Sequence, residues 1–153
     1  MTLLNSAAAL SAYNRDSVLS ASPARLLTML YDRLVLDLTR AEAALTAGDQ
    51  PTAWENLGHA DRIVAELAST LRVDLWDGAA GLLDLYRYVA DLIASASLNR
   101  DAAKAHEALT LIEPLRDAWH EAAAQVPAAG ARNGGARMYA AAAGAAGGDL
   151  GVA

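Results

Sequence analysis

Apolar residues recur every three or four positions in four separate segments of this 153-residue chain. In the first, over about residues 23–47, Leu27, Leu34 and Leu38 share one face with Leu30, Ala41 and Leu45. This spacing lines up side chains on one side of an α-helix. β-branched residues are sparse, and no useful length alternates apolar with polar residues as a half-buried strand would. The sequence therefore predicts an all-α fold.

Residues that start and stop helices separate these segments. Ser22 and Pro23 suit the first turn of a helix, and Gly48 suits the left-handed conformation that ends one. The second segment begins after "GDQPT", with Asp49 as its cap or Pro51 in its first turn. The third carries "LLDLYRYVADLIASASL", and the fourth opens at residues 99–101. Pro114 lies inside the fourth segment, where it predicts a kink rather than a break. Short connections favour an antiparallel up-down four-helix bundle.

The bundle is predicted to occupy residues 21–125, between two segments of different character. Residues 1–20 include "TLLNSAAALSAY", a short amphipathic N-terminal segment that would be marginal as an isolated helix. Residues 126–153 are rich in Ala and hold seven of the eleven glycines. Such a composition cannot bury a core, so a disordered, flexible C-terminal tail is expected there.

Charge and composition exclude several classes of function. The formal net charge is −6, and the twelve Lys and Arg residues are scattered without a run. Nucleic-acid or anionic-membrane binding would need a clustered basic face. No stretch approaches the roughly 18 apolar residues of a membrane span. The absence of cysteine and of a basic residue before Arg15 predicts a cytoplasmic protein without a secretory signal.

Residues suited to catalysis or metal binding are few. The three histidines lie far apart, and no phosphate-binding loop or catalytic triad is recognisable. Asp117 and His120 have the spacing of half a carboxylate di-iron site, which leaves a metal-dependent bundle enzyme open as an alternative. A solvated helix face explains the same spacing, as a weak surface pair explains Glu55 and His59. We therefore expect no enzyme activity and no cofactor.

The apolar surface exceeds what one stripe per helix would bury. Leu26, Met29 and Leu36 lie off the main stripe of the first segment, whose solvent side is marked by Asp32, Arg33, Asp37 and Arg40. The third segment carries two adjacent stripes, one through Leu82, Tyr86, Val89 and Ile93 and the other through Leu85, Tyr88 and Leu92.

Two interpretations fit this surplus of apolar residues. Neighbouring helices could cover wide arcs of each other, or a groove could await an amphipathic helix of a partner. The N-terminal segment, ending at Tyr13, could plug such a groove until a partner displaces it, or could be a frayed leader. An open groove would also allow a homodimer.

Four strings occur in an order that resembles one known family. "AY" at 12–13, "ASPARLLTMLYD" at 21–32, "LYRYV" at 85–89 and "LRDAW" at 115–119 resemble the flagellar secretion chaperone family FliS. The resemblance covers about residues 12–124. It implies a cytosolic antiparallel four-helix bundle that binds the C-terminal segment of flagellin in hydrophobic clefts and prevents premature polymerisation. It also implies delivery of this cargo to the flagellar type III export apparatus.

The surplus surface and the resemblance together predict a set of partner-binding residues. A helical adaptor or regulator that binds another flagellar export or regulatory protein would use the same grooves, so this alternative stays open. The predicted residues are Tyr13, Leu26, Met29, Leu30, Tyr31, Leu82, Leu85, Tyr86, Tyr88 and Val89.

Overall fold

The computed structural model describes residues 8–9, 22–75 and 77–125. Ala8 and Ala9 are helical, whereas the rest of the predicted N-terminal segment and the whole predicted tail lie outside the described residues. Within the described ranges no residue lies in a strand. The elements are α1 (Pro23–Ala47), α2 (Gln50–Thr70), a short 3-10 helix (Val73–Leu75), α3 (Gly78–Asn99) and α4 (Ala102–Gln125).

The ends of α1 and α2 follow from the local sequence. The Ser22 hydroxyl accepts a hydrogen bond from the Arg25 N–H at 3.2 Å, which satisfies one free amide of the first turn of α1. Gly48 ends this helix with φ at 76°, where a side chain would be strained. Asp49 caps α2 by accepting from the Thr52 N–H at 3.3 Å. The contacts of Ser22 and Gly48 confirm the predicted ends of α1. Asp49 is the cap of α2, which begins at Gln50, inside the "GDQPT" string rather than after it.

The four helices close a ring around one core. α1 packs against α2 and α4, and α3 packs against the same two helices, so sequential neighbours touch and the first helix meets the last. Because the connections are short, successive helices run antiparallel. This confirms the predicted all-α four-helix bundle.

The interior combines large aliphatic side chains with alanines. Leu34, Leu38, Leu67 and Ile112 are fully buried. Alanines on all four helices are also fully buried, and their small size permits close approach of the backbones: Ala41, Ala53, Ala60, Ala96, Ala105 and Ala108.

Two further expectations concern the helices themselves. α4 runs through Pro114 as one helix, which confirms that the proline does not break it. Across the described ranges, no helix combines the length and the apolar character that crossing a membrane requires.

Candidate functional site

The predicted partner-binding residues fall into three groups in the structure. Tyr31, Tyr86 and Val89 are fully buried, and Tyr88 is exposed over 47% of its surface. Tyr13 lies outside the described residues. The others are partly buried at the margin of the core: Leu26, Met29, Leu30, Leu82 and Leu85.

The buried residues of this set join three helices within the core. The hydroxyl of Tyr31 on α1 is hydrogen-bonded to the hydroxyl of Tyr86 on α3. The Tyr31 ring also lies against Trp119 of α4, with ring centroids 6.1 Å apart and a tilt of 37°. Tyr31, Tyr86 and Val89 are thus core residues in this structure. Direct contact of a partner with Tyr31, Tyr86 or Val89 stays a prediction. It would require these buried side chains to become exposed.

The partly buried residues gather at one end of the bundle. Leu26, Met29 and Leu30 occupy the first two turns of α1, and Leu82 and Leu85 occupy the first two turns of α3. In an up-down bundle the first and third helices begin at the same end. The apolar side chains of these five residues, here called the end surface, keep part of their area accessible.

The surplus of apolar residues is therefore partly internal and partly external. Leu92, from the second stripe of α3, is buried, so neighbouring helices do cover a wide arc there. Leu36 and Tyr88 are exposed over 39% and 47% of their surfaces. The first interpretation thus holds for Leu92, whereas a groove for a partner helix stays a prediction for the exposed residues.

Tyr88 combines an apolar ring with a polar contact on the bundle surface. Its hydroxyl donates a hydrogen bond to the Glu107 carboxylate of α4. This hydrogen bond, with smaller effects of desolvation and of the carboxylate's charge, raises the pKa of Tyr88 above its ordinary value of 10.0. Tyr88 therefore remains a neutral hydrogen-bond donor at physiological pH.

The structure corrects the placement of Asp37. The sequence pattern put it on the solvent side of α1, yet its side chain is fully buried. Arg33 Nε donates to Asp37 Oδ1 at 3.0 Å, and His59 Nδ1 is hydrogen-bonded to Asp37 Oδ2. The predicted Glu55–His59 pair is wrong, because His59 turns to α1 instead.

The other two histidines also link α4 to carboxylates of α1. His106 Nδ1 lies 2.9 Å from Glu42 Oε1, and His120 Nε2 lies 2.6 Å from Asp32 Oδ1. Within residues 22–75 and 77–125, no three potential ligands are grouped closely enough to hold a metal ion. His120 of α4 thus pairs with Asp32 of α1, and not with the ligands of a di-iron site.

A polar cleft between α1 and α2 was missed by the sequence reasoning. It encloses about 350 Å³. The spacing of Arg33 and Arg40, seven residues apart on one helix face, was the available signal. The cleft is lined by Arg33, Arg40, Thr52, Glu55, Asn56, His59 and Arg62.

Comparison with known proteins places this bundle in a family. The sequence model of the family described as "Flagellar protein FliS" matches residues 6–126, which include all four helices. The chain belongs to the FliS family. This confirms the resemblance carried by the four sequence strings.

Curated members of the FliS family cover most of the same region. The "Flagellar secretion chaperone FliS" of Bacillus subtilis (strain 168) is 30% identical over 112 residues, 73% of this chain and 84% of the relative. The protein of that name in Vibrio cholerae is 32% identical over 117 residues, 73% and 86% of the two chains. That of Escherichia coli (strain K12) is 30% identical over 111 residues, 69% and 79%.

Proposed function

We propose that this FliS-family chain is a cytoplasmic export chaperone that binds the C-terminal segment of flagellin. By holding that segment it would prevent premature polymerisation and aid flagellar type III export. The observation that carries this proposal is the end surface, a group of partly accessible apolar side chains on a bundle whose relatives are named flagellar secretion chaperones. Such surfaces on soluble proteins mark interaction sites.

The end surface and Tyr88 suit a partner segment that follows the surface of the bundle. Leu26 and Met29 offer apolar side chains from α1, and Leu82 and Leu85 offer them from α3, which is not a neighbour of α1 in the ring. Tyr88 adds an amphipathic ring where α3 meets α4. One helix could not cover all of these residues, so the cargo segment would have to wrap around the bundle. A segment that is disordered when free would order as it covers these side chains. Each large side chain that becomes fully buried contributes about 1.5–3 kcal/mol before the cost of ordering.

The proposed activity is binding and release without chemical turnover. Exposed apolar area on both proteins is exchanged for a shared interface, so the affinity depends on fit and on the cost of ordering the cargo. An export apparatus that removes the cargo would need to supply only that binding free energy. No bond is made or broken in this cycle.

Binding of intact and truncated flagellin tests this proposal. We expect the purified chain to bind intact flagellin of the same organism and to bind flagellin lacking its C-terminal segment at least about tenfold more weakly. Isothermal titration calorimetry measures both affinities. Equal binding to the two flagellins, or binding to neither, would contradict the proposal. If flagellin failed but another export protein bound, the chain would be an adaptor instead.

Deletion of residues 1–13 tests the N-terminal segment as a plug. Tyr13 and its neighbours lie outside the described residues, so their position on the end surface is part of the proposal. If the segment competes with cargo, its removal should strengthen flagellin binding, because cargo no longer displaces an internal competitor. Titration calorimetry of the full and shortened chains measures the change. Weaker binding by the shortened chain would show that the segment contributes contacts to cargo.

A further inference from the structure

The outer face of α1 carries a mixed stripe of apolar and basic side chains. Leu26, Met29, Arg33, Leu36 and Arg40 follow one another at intervals of three, four, three and four residues. This spacing keeps five side chains on one helix face, as in the seam of a coiled coil. Leu26 and Met29 are partly buried, and Arg33, Leu36 and Arg40 are exposed. The stripe is therefore accessible along about four turns and begins in the end surface.

The polar cleft lies alongside this stripe. Arg33 and Arg40 line it from α1, while His59 and Arg62 line it from α2. Glu55 is the acidic residue in its lining. The carboxylate of Asp37 beneath it is already bonded to Arg33 and His59. Three guanidinium groups thus face one lining carboxylate, in a chain whose formal net charge is −6.

All three arginines keep N–H donors for a ligand, because Arg33 uses only its Nε in the contact with Asp37. Over the described ranges, no hydrogen bond or ion pair is made by the guanidinium group of Arg40 or of Arg62. Three other arginines instead have carboxylate neighbours: Arg72 with Asp74, Arg87 with Asp84, and Arg116 with Asp117. A guanidinium group fits a carboxylate through two parallel N–H donors, which makes an acidic side chain the matching ligand.

We infer that the α1 stripe and the polar cleft together bind one acidic, amphipathic helix of the cargo and fix its register. This inference rests on the proposed function and assigns a part of the cargo surface. Apolar residues of the bound helix would cover Leu26, Met29 and Leu36, while its Asp or Glu side chains reach Arg33, Arg40 and Arg62. Apolar burial has no preferred direction, whereas charged pairs at fixed spacing allow one alignment.

The geometry of the stripe limits which helices fit. Arg33 and Arg40 are seven residues apart, which is about 10 Å along α1. A helix lying along the stripe would therefore match both with carboxylates seven residues apart, on the same side as its apolar residues. The carboxylates of such a helix would lie within reach of α2, where Arg62 faces the same cleft.

The end segments of this chain lack the acidic residues that would engage the arginines of this face. Residues 1–20 contain one acidic residue, Asp16, and residues 126–153 contain one, Asp149. Neither segment could supply two carboxylates seven residues apart. A nucleic acid would meet the negative charge of the rest of the chain, and Glu55 would oppose a dense polyanion in the cleft. These observations favour an acidic segment of a protein partner.

Charge reversal in the cleft tests the inference. The double variant Arg40→Glu/Arg62→Glu should bind the flagellin C-terminal segment about tenfold more weakly than the unmodified chain at low salt, because attraction becomes repulsion. The control Arg100→Glu/Lys104→Glu changes the net charge equally, at the junction of α3 and α4, and should retain the affinity. Increasing salt should weaken binding by the unmodified chain and should reduce the gap between it and the double variant. Circular dichroism melts of all three chains verify that each is folded.

The complementary substitution identifies the cargo residues. Replacing the acidic residues of the flagellin segment with Lys, one at a time, should restore binding to the double variant at the positions that face the cleft. If the unmodified chain binds the segment and the two double variants bind it equally well, this inference is wrong while the proposed function stands. If the unmodified chain does not bind the segment at all, the proposed function fails and the inference falls with it.

Discussion

Replacement of Tyr86 with Ala is expected to lower the free energy of unfolding by about 3–5 kcal/mol, the range for truncating a buried aromatic side chain. Tyr86 is fully buried in α3, and its hydroxyl is hydrogen-bonded to that of Tyr31 on α1. The substitution removes a large apolar ring and also takes one hydrogen-bond partner from Tyr31. Urea denaturation followed by circular dichroism measures the loss of stability.

Tyr88 provides a matched control two residues away on the same helix. It is exposed over 47% of its surface, and its hydroxyl contact with Glu107 is at the bundle surface. Tyr88→Ala should therefore cost less than about 1 kcal/mol of stability, yet it should weaken flagellin binding. If Tyr86→Ala left stability unchanged and reduced only binding, Tyr86 would be a groove residue and its place in the core would be wrong.

The helix ends could be predicted because their causes are local. Ser22 and Gly48 act through their own backbone and side chains, so the sequence alone indicates where α1 begins and ends. The same holds for Asp49 at the start of α2. The periodicity of apolar residues predicted that the four helices pack as a bundle, because the apolar stripe of each helix can be buried only against the other helices.

The assignment of apolar residues to core or groove could not be made from periodicity. Tyr86 and Tyr88 both lie on the wide apolar arc of α3, and only one is buried. The width of a buried arc depends on how closely neighbouring helices approach, and this is set by side chains such as Ala60 and Ala105 on other helices. The sequence pattern of one helix gives no information on the distance to its neighbouring helices.

The misplacement of Asp37 has a similar origin. Charged residues are almost never fully buried unless they are paired, which is why the sequence pattern put Asp37 with the solvent-facing residues of α1. Its partner His59 lies 22 residues away on α2, so the pairing that permits burial is not visible at helical spacing. Arg33 lies four residues from Asp37 on the same helix, so helical spacing could indicate this contact but not the one with His59.

Asp37 is fully buried, whereas its partners Arg33 and His59 are partly exposed. This difference leads to the second large expected effect. The double substitution Arg33→Ala/His59→Ala should lower the free energy of unfolding by about 3 kcal/mol, because it leaves the buried Asp37 carboxylate without either partner. Arg33 and His59 are themselves 49% and 37% exposed at their side chains, so water can solvate them when Asp37 is removed. Asp37→Ala alone should consequently cost less than the double substitution.

Adding Asp37→Ala to the double variant separates a buried charge from lost packing. If the unpaired Asp37 carboxylate causes the loss of stability, the triple variant should regain a good part of the roughly 3 kcal/mol, because the unpaired charge is gone. Urea denaturation of the three variants and the unmodified chain at one pH measures the four free energies. A triple variant no more stable than the double variant would instead assign the loss to the packing of the Arg33 and His59 side chains across α1 and α2. In that case the buried Asp37 carboxylate would not need its two partners. Arg33 and His59 would then stabilise the protein mainly by packing between α1 and α2.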